Sequence, residues 1–177
     1  MKNMITMLAS AGLGAAAFAQ GVSTAPTKLM HVSTSFDLVV HALYAETAPL
    51  FGPEGERVWA GNDWNPQFLY PQPAQDSEGA VFTIQRGPLN VVWVNTLFDL
   101  EARHFQYVYF ITDVMVTTID LRFMPVSNES TQVNVIYTRT ALTPEGNKRV
   151  AAMRDHDTHA GKDWQEQIDA YLRSRNH

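Results

Sequence analysis

The chain contains no cysteine. That excludes disulfide frameworks, thiolate nucleophiles, cysteine-bound zinc, iron–sulfur clusters and a lipid carried on an N-terminal cysteine. Basic residues are scarce as well: 13 Lys and Arg stand against 18 Asp and Glu, giving a net charge of −5 and a pI near 5.6. General nucleic-acid binders carry a strongly basic footprint, so no nucleic-acid partner is expected. The chain has no Gly-x-Ser-x-Gly nucleophile elbow, no phosphate loop and no dinucleotide fingerprint, and no cofactor is expected. After the first twenty residues no apolar run reaches the roughly 20 residues that span a bilayer, so no integral membrane span is expected. What remains is 177 residues, 45% of them hydrophobic, enough for one domain with a sizeable core.

The N-terminus reads as a targeting segment. Lys2 supplies a positive start, residues 5–18 are rich in Ala, Gly and Leu, and Ala17-Phe18-Ala19 has the small-x-small form of a cleavage site. Residues 1–19 are therefore expected to be a signal peptide and the mature protein to be secreted, to a periplasm. The rival reading is a membrane anchor, weakened by the shortness of the stretch and by Ser10, Gly12 and Gly14. Residues 20–28 read as a flexible leader and 29–177 as the folded domain.

Within that domain the hydrophobic period changes twice. A strand is expected over 29–36, and Ser33-Thr34-Ser35 with Asp37 offers a cap for a helix through Leu38, Val39, Leu43 and Tyr44. Pro49 and Gly52 interrupt it, and Pro53-Glu54-Gly55-Glu56 opens a second short helix ending near Trp59-Ala60-Gly61. From Trp64 the period becomes two, with strands expected over 68–70, 81–86, 90–98, 104–112, 116–124 and 132–142. Thr143-Pro144-Glu145 then starts a helix running to about Ser174. Strands at such short spacing form an antiparallel meander, so the class is α+β.

The alternation gives the sheet two unlike faces. Phe105, Tyr107 and Tyr109 share one side of their strand, Ile119, Leu121 and Phe123 of the next, and Val133, Val135 and Tyr137 of the last. The opposite side carries His104, Gln106, Asp120, Arg122, Asn134 and Thr138. On the last helix Val150, Met153, Trp164, Ile168 and Tyr171 form one stripe, which is expected to cover the apolar side of a curved sheet.

Phe51-Gly52-Pro53-Glu54-Gly55-Glu56-Arg57-Val58-Trp59 leading to Trp64-Asn65-Pro66, and Tyr137-Thr138-Arg139-Thr140-Ala141-Leu142-Thr143-Pro144-Glu145-Gly146-Asn147 leading into the final helix, resemble bacterial proteins of the SRPBCC superfamily whose activity is unassigned. That superfamily includes START-like lipid-transfer domains, Bet v 1-like plant proteins and polyketide cyclase-like proteins. The order of elements agrees with its helix-grip fold: about seven antiparallel strands wrapped on a long C-terminal helix, with two short helices after the first strand. The resemblance covers roughly 29–173 and implies a cavity between sheet and helix that takes a hydrophobic or amphipathic small molecule. Members differ in ligand, and only some are enzymes, so the fold assigns no activity.

The aromatic inventory supports such a cavity from the residues upward. Trp59, Trp64, Phe82, Trp93, Tyr107, Tyr109, Tyr137 and Trp164 can be placed toward one interior, where they either fill a core or wall a ligand site. Strand parity adds Arg139 to the inward face, and the helical wheel puts Asp157 on the buried stripe. Isolated charges in an apolar interior cost several kcal/mol. Arg139 is therefore expected either to bind Asp157 or to take an anionic ligand group; the alternatives are a rim position for Arg139 and a helix rotated locally at Gly161. These ten residues are the candidate ligand-binding set, and no catalytic residue is assigned.

Histidine adds little. Asp155, His156, His159 and Asp163 stand at helical spacings but match no zinc signature, so no metal site is expected. Within the first helix, His41 reads as structural. An enzyme of the cyclase or dehydratase type would need a cavity acid–base pair, and Asp157 with His156 is the local pair available. A third reading is an interaction module that contacts another protein. Oligomeric state is not legible.

Overall fold

The structure, a computed structural model, describes residues 27–175. The signal peptide expected at 1–19, and most of the leader at 20–28, lie outside the described residues. Seven strands form one sheet: β1 His31–Val40, β2 Gln67–Tyr70, β3 Val81–Arg86, β4 Leu89–Asp99, β5 His104–Ile111, β6 Met115–Ser127 and β7 Ser130–Ala141. They are joined in the order β1-β7-β6-β5-β4-β3-β2, every pair antiparallel. Between β1 and β2 come a one-turn helix, α1 at Tyr44–Thr47, and two 3-10 turns at Ala48–Phe51 and Gly55–Val58. The last element is the long helix α2, Pro144–Arg175. This is the α+β helix-grip arrangement.

The period-two pattern produces the sheet as expected. In β7, Thr131, Val133, Val135, Tyr137, Arg139 and Ala141 point inward and the residues between them do not. Across from them β6 contributes Met115, Thr117, Ile119, Leu121 and Phe123. The outer face is polar, with His104 Nε2 2.6 Å from Asp120 Oδ2. Thr143 caps α2, its Oγ1 accepting the Gly146 N–H at 3.1 Å, and Pro144 fills the first helical position.

One expected helix is absent. The cap signal at Ser33-Thr34-Ser35-Asp37 does not start a helix through Leu38, Val39 and Leu43, because β1 continues to Val40. Ten consecutive residues of β1 pair with β7, from His31 opposite Thr140 to Val40 opposite Thr131. Asp37 accepts a cross-strand bond from Asn134 Nδ2 at 2.9 Å instead of capping anything. Cooperative pairing with a long neighbour outweighs a local cap worth about 1 kcal/mol. His41 accordingly lies just past the strand, exposed, with Nδ1 3.4 Å from Asp169 Oδ1, and not inside a helix.

The helix is off centre over the sheet. It packs chiefly on β1 and β7, and two glycines allow the close approach. A Cβ at Gly161 would stand 2.7 Å from Phe36 Cδ2, and one at Gly146 would stand 2.1 Å from the Val114 carbonyl oxygen. Gln165 completes the clamp: it accepts the Val39 N–H at 3.0 Å and donates to the Val39 carbonyl at 2.6 Å, which covers part of the exposed edge of β1. The concave side of β3, β4 and β5 is thereby left facing a hollow.

Candidate functional site

Two adjoining spaces occupy that hollow. The outer one is a cleft of about 500 Å³ between β3–β7, the 3-10 segment and α2. That is within the range of small-molecule sites, about 300–1,000 Å³. The inner one is a small chamber of about 40 Å³ lined by Pro53, Glu56, Trp64, Phe82, Trp93, Tyr107, Ile119, Leu121, Tyr137 and Trp164. Glu56, Trp64, Trp93, Ile119, Tyr137 and Trp164 border both.

All ten candidate residues border one space or the other. Phe82 and Tyr107 line the chamber; Trp59, Tyr109, Arg139 and Asp157 line the cleft; Trp64, Trp93, Tyr137 and Trp164 line both. Their rings are mutually packed. Trp93 stacks on Tyr109 at 4.3 Å between centroids and on Phe82 at 5.9 Å, while Trp59 meets Trp164 edge-on at 5.4 Å. Several are pinned by their polar atoms: Trp59 Nε1 donates to the Leu50 carbonyl at 2.6 Å, Trp64 Nε1 to the Pro53 carbonyl at 2.9 Å, and Tyr107 Oη to the Phe51 carbonyl. The aromatics thus wall the hollow at one end and fill it at the other, where Phe51, Trp59, Phe123 and Trp164 close the core.

Arg139 and Asp157 do meet. They are 2% and 3% exposed, with Nη2 to Oδ1 at 2.7 Å and Nε to Oδ2 at 3.1 Å. Arg139 Nη1 also donates to Tyr109 Oη at 2.7 Å and to Thr117 Oγ1 at 3.0 Å, and Thr34 donates to Asp157 Oδ2 at 3.0 Å. The guanidinium further sits 4.5 Å over the ring of Tyr137. Burial alone would pull the arginine pKa down, but the bond to Asp157 overcomes it and the value ends above the ordinary one. This network is a saturated cross-link between β7 and α2. The fork is occupied, so the other expectation, an arginine free for an anionic ligand, does not hold in this structure. The local acid–base pair is not closed either: His156 Nδ1 stands 4.0 Å from Asp157 Oδ1, and its side chain is largely exposed.

The sequence reading missed Glu56. Its residue is 8% exposed, it borders both spaces, and its carboxyl has no hydrogen-bond partner among the described residues. Burial pushes its pKa well above the usual carboxylate range, Asp76 adds to the rise and Arg86 opposes it. Asp76 is itself raised by burial, against the pull of the N–H groups of Glu54 and Gly55, which it accepts at 2.8 and 3.2 Å. A signal existed: Glu56 stands three residues before Trp59, which was placed inward, and residues three apart share a helical face. Two further polar groups on the walls are open: the Tyr137 hydroxyl has no hydrogen-bond partner among the described residues, with a pKa raised by burial well above the ordinary tyrosine value, and Trp93 Nε1, on the wall of both spaces, is buried without a partner.

The fold is the helix-grip fold, the Bet v 1-like arrangement of an antiparallel sheet around a long C-terminal helix. Norcoclaurine synthase from Thalictrum flavum, solved in complex with dopamine and hydroxybenzaldehyde, superposes with a TM-score of 0.62 at 12% identity, over 82% of this chain and 88% of that one. A hypothetical protein from Helicobacter pylori matches with a TM-score of 0.60 at 10% identity, over 79% and 87%. The di-domain ARO/CYC BexL of the BE-7585A biosynthetic pathway matches with a TM-score of 0.59 at 13% identity, over 78% of this chain and 46% of that one. At such identities the likeness establishes the fold alone. No protein-family model and no curated protein matches the chain.

Proposed function

We propose that this protein is exported and binds a hydrophobic or amphipathic small molecule in the cleft between the sheet and α2. The observation that carries this reading is the cleft itself: about 500 Å³ of space bordered by Trp59, Trp64, Trp93, Tyr109, Tyr137 and Trp164, with the one buried ion pair on its wall already satisfied. The rings supply the apolar contact a small-molecule site needs, and Glu56, Asp63, Arg86, Arg149, His156 and Gln167 on the same lining supply polar groups that can orient an amphipathic guest. Structural neighbours include a synthase and an ARO/CYC protein, so an enzymatic role is the rival reading. Here the pair nominated for acid–base work is 4.0 Å apart, with His156 exposed to water and Asp157 buried and engaged by Arg139, which favours carriage.

The test is native mass spectrometry of protein purified from the periplasm of its own cells. The expected result is a chain beginning at Gln20 with an apolar small molecule bound, and quenching of tryptophan fluorescence when an apolar naphthalene probe is added. A chain that keeps residues 1–19 overturns the export half. No co-purified molecule together with no response to the probe overturns the binding half.

A further inference from the structure

The inner chamber contains one side chain able to carry a full charge at neutral pH, and that side chain has nothing to bind. Glu56 is nine-tenths buried, faces the space and lacks a hydrogen-bond partner among the described residues. A buried polar group left unpaired costs about 1–3 kcal/mol, so its persistence at a cavity wall calls for an occupant. The remaining walls are aromatic or aliphatic, with the rings of Trp64, Trp93, Trp164 and Tyr137 and no Lys or Arg among them, and their one buried donor without a partner among the described residues is Trp93 Nε1. Ring faces attract cations and do not attract anions. Asp76 lies close enough to act electrostatically on Glu56, and its influence exceeds the opposing one of Arg86. A space of about 40 Å³ holds roughly three water-sized groups, which suits a methylene with its ammonium but not a bulky head.

From this juxtaposition, a lone unpaired carboxyl inside a chamber of aromatic rings that adjoins the larger aromatic-walled cleft, we infer that the ligand is an amphipathic primary amine whose ammonium enters the chamber against Glu56 while its apolar body lies along the rings of the cleft. This rests on the binding role proposed above. In the empty protein burial holds the Glu56 carboxyl well above the usual carboxylate range, which favours its protonated form. The ammonium keeps its proton, because alkylamines ionise only near pH ~10, so Glu56 gives up its own proton to solvent and the carboxylate forms the ion pair. Binding therefore releases one proton, and affinity rises with pH until Glu56 is ionised before the ligand arrives. Among the other groups that face Glu56, burial raises Tyr107 and Tyr137 well above the ordinary tyrosine value, and Arg86 opposes the rise at Glu56. Asp76 titrates with a raised value and its ionisation favours the amine in the same direction. On the cleft side stand Arg149, His156 and Gln167 of α2, Asp63, Arg86 and the Arg139–Asp157 pair that joins β7 to α2; Arg86 and Arg149 oppose the ammonium and Asp63 favours it.

The test compares n-octylamine, 1-octanol and octanoate by calorimetry on the purified protein, at pH 5.5 and 7.5 and in buffers of different ionisation heat. The same titrations are run on Glu56→Gln, which keeps size and polarity without charge, and on His156→Gln. An ion pair with cation–π support predicts octylamine binding about tenfold tighter than octanol at pH 7.5, with proton release. Glu56→Gln is expected to abolish the preference and the proton release while an unchanged near-UV spectrum shows the fold intact. His156→Gln is expected to keep both. Octanol binding as tightly as octylamine, octanoate binding tightest, or a preference that survives Glu56→Gln overturns the inference and leaves the carrier role standing. Failure of all three ligands to bind overturns both.

Discussion

Removing the carboxylate of Asp157 strands a guanidinium inside the protein. Arg139 makes four side-chain hydrogen bonds, and two of them, at 2.7 and 3.1 Å, go to Asp157. At 2% exposure no water replaces them. Breaking a buried pair by deleting one partner costs about 3–5 kcal/mol, because the remaining charge is uncompensated. Asp157→Ala should therefore lower the urea midpoint by that free energy with an unchanged slope, and lower Tm by roughly 6–20 °C for a domain of this size. The double replacement Arg139→Met with Asp157→Leu should recover most of the loss, since an apolar pair of similar volume carries no desolvation cost. The exposed pair on the same helix, Arg154 with Asp155 at 3.3 Å, is the internal control: Asp155→Ala should change stability by less than about 0.5 kcal/mol. An Asp157→Ala loss below about 1 kcal/mol would refute the reasoning, as would a double variant no more stable than the single one.

Two further outcomes follow from the open polar groups. Glu56 has a folded pKa raised by burial from an ordinary value of 4.5, so below that pH it is protonated folded or unfolded and its burial costs little. As pH rises toward the folded value only the unfolded chain ionises, and stability is progressively lost. Chemical denaturation of Glu56→Gln from pH 4 to 8 should show a shallower decline than the parent and a higher stability at pH 8; equal slopes would contradict the burial argument. Asp76 contributes a decline of the same sign in both proteins, starting from 3.8. The tyrosines supply the second contrast. Tyr107→Phe leaves the buried Phe51 carbonyl without its donor and should cost about 1–3 kcal/mol, whereas Tyr137→Phe removes a hydroxyl with no protein partner and should stay within about 0.5 kcal/mol in thermal denaturation.

The parts of the fold that were legible in the sequence are those where one signal acts alone. The meander from Val81 to Ala141 alternates most clearly in the strands His104–Ile111, Met115–Ser127 and Ser130–Ala141, and each strand begins and ends within about three residues of its expected bounds. The region after β1 was misread because two signals conflict there. Ser33, Thr34, Ser35 and Asp37 suit a helix cap, yet they sit opposite β7, and a strand partner nearly a hundred residues away is invisible to a local reading. At the site, parity found Arg139 because an inward charge breaks a long alternating run, and the wheel found Asp157 for the same reason. Glu56 breaks no run. It lies in a turn of four residues, too short to display a period, and only the tertiary fold shows that Gly55–Val58 presses it against Tyr107 and the chamber.

The same tertiary geometry explains why the hollow persists, and it makes a last outcome testable. The helix is drawn toward β1 at Gly161, where the missing side chain admits the ring of Phe36, and is fastened there by Gln165 on Val39. Alanine at position 161 gains about 1 kcal/mol of helix propensity but places a methyl group 2.7 Å from Phe36 Cδ2. That ring is backed by Trp164, edge-on at 5.4 Å, and by Tyr137 at 6.2 Å, which are walls of both spaces. The strain of overpacking, about 1–3 kcal/mol, is therefore relieved in the direction of the cavity. Gly161→Ala should unfold within about 2 kcal/mol of the parent and yet bind an apolar probe several-fold more weakly, as titration of tryptophan fluorescence would show. Unchanged probe affinity in a stably folded variant would mean that the close approach of α2 to β1 does not set the width of the cleft.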